Sequence, residues 1–336
     1  MKHVILLLLL ITISCNKQKK TEVNTTDLTI AFGSCNNQQI PNVLFKEILK
    51  NDAKIWIWGG DIIYSDTNDP KVLAKNYIKF KQDSTYQNFI NKIDVIGTWD
   101  DHDYGVNDGG TEHIIKAEAQ QLLLDFFDVP KQDKRREQKG VYFSKTIQKD
   151  SNSVKIITLD TRYFRTSLTD DLSGKKRYIP NSYGEGTMLG EEQWLWLENE
   201  IINSTANFIV INSSIQFLSN EHGFESWGNM PHEVEKLKSI IAKSNTKTII
   251  LSGDRHISEV SKTNIGNQLT PLIDFTSSGL THTYSSFNGE ENSYRISNVI
   301  YEINFGLVKF DFDKNEVLFE IRGKNNKILE KIVQKY

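Results

Sequence analysis

The stretch Lys54-Ile55-Trp56-Ile57-Trp58-Gly59-Gly60-Asp61-Ile62-Ile63-Tyr64 decides how this sequence folds. Its first half is a short apolar run rich in β-formers, the length of a buried strand. Its second half breaks that run with Gly59-Gly60 and places an acid and a phenol just beyond it. The pattern recurs along the chain. Run 28–32 leads into Gly33-Ser34-Cys35, and run 94–98 into Trp99-Asp100-Asp101-His102-Asp103-Tyr104-Gly105-Val106-Asn107-Asp108. Run 154–159 leads into Asp160-Thr161-Arg162, run 208–211 into Asn212-Ser213-Ser214, and run 248–251 into Ser252-Gly253-Asp254-Arg255-His256.

Between the runs lie amphipathic segments. Ile114, Ile115, Leu122, Leu123, Phe126 and Phe127 make one helical face over 111–128. Trp194, Leu197 and Ile201 make a second, and Val234, Leu237, Ile240 and Ile241 a third. Strands alternating with helices imply an α/β fold. Residues 305–321 alternate apolar and polar about Asp313-Lys314-Asn315, which predicts a hairpin closing one sheet. Segment 131–139 is charged and predicts a solvated loop. No linker or repeat interrupts residues 28–336, so a single domain is expected there.

Composition bounds the function. Of 336 residues, 38% are apolar and 10% aromatic, too many for a disordered chain. Lys and Arg number 40 against 43 Asp and Glu, which excludes a broadly basic surface for nucleic acid. Two cysteines build no disulfide framework. At the N-terminus, Lys2 and His3 precede the apolar run 4–13. That run is shorter than the ~20 residues a spanning helix needs and has the length of a signal-peptide core. It ends in Thr12-Ile13-Ser14-Cys15, a small residue directly before a cysteine, as in bacterial lipoprotein signals. The expectation is a signal peptide at 1–14, lipidation of Cys15, and a lysine-rich tether at 15–27. The mature chain would be anchored by lipid at the cell envelope. Asn16, unlike an aspartate there, favours the outer membrane. A monomer is expected.

In open α/β sheets, sites form beyond the carboxyl ends of strands. Such a cleft would gather at least Asp61, Asp101 and Asp254, which cannot all stay ionised together without cations. His256, two residues after Asp254, suits a borderline metal. Carboxylate and amide oxygens suit calcium. Cys35 and Tyr64 add a thiol and a phenol, which favour a trivalent or soft metal. Such mixed sites serve in-line displacement at phosphorus. Arg162 then suits a phosphate oxygen, and His102 suits charge stabilisation or protonation of the leaving alkoxide. No serine in these motifs has an adjacent base, so direct attack by water is favoured over a covalent intermediate.

Gly33-Ser34-Cys35, Gly60-Asp61-Ile62-Ile63-Tyr64, Trp99-Asp100-Asp101-His102-Asp103, Leu159-Asp160-Thr161-Arg162 and Gly253-Asp254-Arg255-His256 together resemble the alkaline phosphatase D (PhoD-like) family of calcineurin-like metallophosphoesterases. The resemblance spans about 28–310, with the motifs in family order. It implies a four-layer α/β/β/α sandwich, two mixed sheets flanked by helices, and hydrolysis of phosphate mono- and diesters. It also implies an Fe3+ and Ca2+ centre, or Zn2+ or Mn2+ in place of iron, on Cys35, Asp61, Tyr64, Asn107, Asp254 and His256. The third motif departs from the commonest spacing, leaving Asn107 and Asp101 as alternatives for one ligand. Asp100 and Asp103 flank that motif, one of them as a support. His282, after Ser277-Ser278-Gly279-Leu280-Thr281, is a candidate substrate contact. His113, His222 and His232 are expected at the surface or as helix caps. Trp194 and Trp196 are expected in the core or half-buried, and Trp227 either lines a substrate rim or anchors a loop. A phospholipase or strict phosphodiesterase is the nearest alternative function. A surface lipoprotein that binds phosphorylated ligands without hydrolysing them is the alternative from another class.

Overall fold

The computed structural model describes residues 26–244, 246–267 and 269–336. The signal peptide, Cys15 and all but the last two residues of the tether lie outside the described residues. Among the described residues, no helix is long and apolar enough to cross a membrane.

One six-stranded sheet has the order β14-β13-β12-β1-β2-β3. Its strands are β1 (Leu28–Gly33), β2 (Ile55–Gly59), β3 (Asp94–Thr98), β12 (Phe305–Asp311), β13 (Glu316–Arg322) and β14 (Ile328–Lys335). The second has the order β10-β11-β9-β8-β5-β4, from β4 (Phe143–Lys149), β5 (Asn152–Thr158), β8 (Phe208–Asn212), β9 (Lys247–Ser252), β10 (Ser258–Ile265) and β11 (Thr270–Ser277). Strands β6 (Thr169–Asp170) and β7 (Tyr178–Ile179) form a small separate ribbon. Both large sheets are mixed. β1, β2 and β3 run parallel, as do β5, β8, β9 and β11. Parallel neighbours need crossovers, usually helical. In the first sheet these are α1 (Phe45–Ile48), then α2 (Pro70–Lys81) and α3 (Ser84–Ile90). The short α4 (Asp101–Tyr104) and the longer α5 (Lys116–Phe126) follow β3, while α6 (Gly190–Ile202) and α7 (Pro231–Ser244) serve the second sheet.

Alternation within each strand sorts its side chains between layers. In β2, Trp56 and Trp58 join the helices α1, α2, α3 and α5 in one apolar cluster, while Ile55 and Ile57 face the other sheet. In β8, Phe208 and Val210 fill the core between the sheets, while Ile209 and Ile211 pack with α6 and α7. Three apolar clusters thus occupy the three gaps of a four-layer α/β/β/α sandwich. Both faces of the central strands are buried, so they read as continuous apolar runs.

Several expectations need correction. The helix expected over 111–128 begins at Lys116. Thr111 N donates to Arg165 O, which pulls the preceding residues into a loop and leaves Ile114 78% exposed. His113 is buried beside Tyr104 rather than lying at the surface. The C-terminal hairpin is present as β12 and β13, but β12 sits inside the sheet beside β1, and β14 forms the edge. Segment 131–139 is not simply solvated: Arg136 is held by Val129 O and Gln121. Of the two expectations for Trp227, the loop anchor is the one realised: it is fully buried and donates to Ser213 Oγ at 2.7 Å.

Candidate metal centre

The two sheets meet where their parallel strands end. Ser34 after β1 pairs with Ser278 after β11, and Leu280 N donates to Ser34 O. A Cβ on Gly60, whose φ is +93°, would lie 2.4 Å from Asp100 Cβ. Only glycine lets the β2 turn lie against the β3 turn there. Cys35, Asp61, Asp66, Asp108, Ser214, Asp254 and His256 all have positive φ. Left-handed backbone is unfavourable for such residues and clusters at functional sites. At Cys35, Asp61, Ser214, Asp254 and His256 it turns the chain sharply just beyond a strand end, beside the cleft, whereas the carboxylate of Asp108 engages Arg177 and Tyr178.

Among the described residues, three groups each have their potential ligand atoms within 4.8 Å of one another: Cys35, Asp61 and His256; Asp61, Asp101 and His102; and Asp100, Asp101 and Asp254. Asp61 belongs to the first two and Asp101 to the last two. Cys35 Sγ donates to Asp61 Oδ2 at 3.4 Å, and Tyr64 OH donates to the same oxygen at 3.0 Å. Tyr64 OH also lies 3.4 Å from His256 Nε2. Asp61 Oδ1 and Asp100 Oδ2 are buried without any hydrogen-bond partner. An unpartnered buried carboxylate oxygen is costly in an apolar surrounding, and a cation would satisfy it. The donor set therefore fits two cations sharing Asp61: a thiol, phenol and imidazole on one side, carboxylates on the other.

The electrostatics agree. Burial first, and Asp101 next, push Asp61 up to about 8. Burial likewise raises Asp254 and Asp100 well above the ordinary carboxylate range. Asp101 is the exception. Burial acts to raise it, but Arg162, His102 and the backbone N–H groups of Asp108 and His102 hold it below the usual value. Burial, then His282 and His102, push His256 down to about 3, so its imidazole is neutral and able to ligate. Burial opposes charge on His102, yet Asp66, Asp61 and Asp101 outweigh it and lift it to about 10. Asp66 Oδ1 lies 2.7 Å from His102 Nδ1.

Asn107 is exposed, whereas Asp101 is buried and belongs to two of the carboxylate and imidazole groups. Arg162 is not presented to the cleft. It is fully buried; its Nε and Nη2 donate to Asp100, and its Nη1 donates to Glu225 Oε2 at 2.5 Å. The expectation of a direct phosphate contact by Arg162 is corrected: its forked donors are already spent on carboxylates. Asp103 braces the cleft from beneath, accepting from Ile62 N and Asp100 N. His282 lies at the rim, its ring 4.5 Å from His256 and 5.0 Å from Tyr64.

Sequence reasoning missed four supports. Ser278 Oγ lies 3.1 Å from Cys35 Sγ and accepts from His256 N, so it ties two ligand turns together. Asp66 orients His102. Asp108 N donates to Asp101 Oδ2. Glu225 holds both Arg162 and Arg165. Ser278 and Asp66 stand in quoted or adjoining motif residues and were within reach; Glu225 lies in a loop with no signal.

Two mixed sheets thus bring acids, imidazoles and a thiol together at their converging strand ends. The structure superposes on that of PhoD with a TM-score of 0.75 and 17% identity, covering 92% of this chain and 69% of that one. It superposes on a dimetal phosphatase from Danio rerio with a TM-score of 0.52 and 11% identity, covering 93% and 100% of the two chains. Residues 30–318 match the PhoD-like phosphatase family, and the chain belongs to it. Alkaline phosphatase D of Bacillus subtilis (strain 168) is 28% identical over 121 residues, which span 33% of this chain and 21% of that protein.

Proposed function

We propose that the protein hydrolyses phosphate esters with two cations held by Cys35, Asp61, Tyr64, Asp101, Asp254 and His256, with Asp100 completing the carboxylate side. The observation that carries this reading is Asp61, shared between two ligand groups, with one oxygen buried and unpartnered, in a chain of a phosphatase family. Bound cations would supply charge for the phosphoryl oxygens and lower the pKa of an attacking water. The chain's own residues do the rest. Arg162 fixes Asp100. Asp66 engages His102 Nδ1, which leaves Nε2 to donate a proton to a leaving alkoxide. The neutral His256 and the thiol of Cys35 suit iron, and the carboxylates suit calcium; Zn2+ or Mn2+ in the softer position is the alternative.

We further propose export and lipid anchoring through Cys15, on the strength of run 4–13 and the cysteine that follows it. The test is metal analysis of the purified full chain, with hydrolysis of p-nitrophenyl phosphate and its bis-ester. Two metal equivalents and turnover lost on chelation are expected. A metal-free protein that stays inert after iron and calcium are added back would overturn the reading and favour ligand capture without hydrolysis. A labelled fatty acid should enter the wild-type protein and not Cys15→Ser; a wild-type protein that takes up no lipid would refute the anchor.

A further inference from the structure

A pocket of about 410 Å3 opens beside the ligand groups, lined by Phe224, Arg255, His256, Thr283 and Tyr284. His256 belongs to both the pocket and the metal centre. The pocket wall is built from two separate loops. Phe224 comes from the loop between β8 and α7, and Tyr284 from the loop after β11. Tyr284 N donates to His256 O at 2.9 Å, which ties the pocket wall to the turn that carries His256. The guanidinium of Arg255 lies over the Phe224 ring at 4.1 Å and is itself held by Glu290 at 2.9 and 3.1 Å. Arg255 is only 8% exposed, so it is a rigid part of the wall. Phe224 and Tyr284 nonetheless keep 37% and 38% of their surface exposed.

Two exposed rings beside a reactive centre need an explanation. Large apolar side chains left open on a soluble surface mark binding sites when they group around a concavity. The wall presents two aromatic rings, with the Glu290-held guanidinium backing one face of Phe224. A flat guest gains most from such walls through offset stacking, whereas a flexible aliphatic chain would lose conformational freedom to match them. We propose that this pocket receives a planar aromatic group carried on the alcohol side of the phosphate ester, so that the preferred substrates are aromatic or heteroaromatic phosphate esters. The proposal rests on the phosphoesterase reading above and deepens it by naming a substrate class.

Benzyl phosphate and cyclohexylmethyl phosphate differ in flatness while keeping a primary alkoxide as leaving group. With the metal-loaded full chain, kcat/KM should favour the benzyl ester by about tenfold, the scale of one stacking contact. Phe224→Ala and Tyr284→Ala should each bring the ratio toward one, while Phe224→Trp should keep it. A wild-type ratio near one, or a ratio unmoved by both alanine variants, overturns the proposal and leaves phosphoesterase activity standing. If neither ester is hydrolysed, binding of the phosphate-free probe 2-naphthylmethanol, followed by calorimetry, decides. Binding that Phe224→Ala abolishes sustains the pocket while the hydrolytic reading falls; absence of binding overturns the pocket too.

Discussion

Replacing Arg162 by methionine separates two roles that its motif leaves indistinguishable. In the structure Arg162 lies between Asp100 and Glu225, and all three side chains are at most 1% exposed. Methionine keeps much of the length and removes the charge. Asp100 and Glu225 would then be buried without their shared cation, and Glu225 would retain only Arg165. Breaking a buried pair by removing one partner costs about 3–5 kcal/mol, because the remaining charge stays desolvated. For a chain of this size that is a fall in melting temperature on the order of 10 °C. The assay is chemical and thermal denaturation of the metal-loaded protein, with kinetics alongside. Adding Glu225→Gln to the Arg162→Met protein should recover part of the loss, since that uncompensated charge is then gone while the Asp100 carboxylate stays in place for the cations. An arginine that gripped the substrate phosphate would behave differently. Its loss would raise KM and weaken inhibition by inorganic phosphate at nearly unchanged stability. That second pattern, with a stability change below about 1 kcal/mol, would refute the clamp.

Three further outcomes are expected. Asp61→Asn should remove the carboxylate charge shared by the two ligand groups; metal content should drop by at least one equivalent and kcat by several orders of magnitude, measured by elemental analysis and ester hydrolysis. Chelation should lower the melting temperature and re-addition of metal restore it, because ligands that bind only the folded state stabilise it; a melting temperature indifferent to metal would count against the site. His222 is driven down to about 3, by burial first and then by Arg255. Its unfolded counterpart takes up a proton near pH 6.5, so this residue's contribution to stability is full above that pH. It is lost as pH falls toward 3, at up to about 1.4 kcal/mol per pH unit. His222→Gln should flatten the difference, read as denaturation midpoints from pH 7 to pH 4.

Much of this protein was legible from residue order. Strands buried on both faces show as apolar runs, and the chemistry placed just after them shows as motifs. The helix faces on α6 and α7 were readable because their apolar residues recur at helical spacing. The start of α5 was not, since Thr111 is drawn to Arg165, far away in sequence. β14 was also hidden: it is an edge strand with mostly exposed and half-buried residues, so no continuous apolar run announces it.

By itself, the sequence determined the fold class, the family, and which residue types stand beyond the ends of strands. Those are local properties: periodicity, chain-breaking glycines and the chemistry of short motifs. Only the tertiary structure decided how those residues divide the work. It turned Arg162 inward onto Asp100 and Glu225, buried Asp101 beside Asp61 while leaving Asn107 exposed, and brought Ser278 against Cys35. It also set Phe224 and Tyr284 around one pocket beside His256. Each of these depends on contacts between residues distant along the chain, and on burial that leaves a charge no partner but the one the fold brings to it.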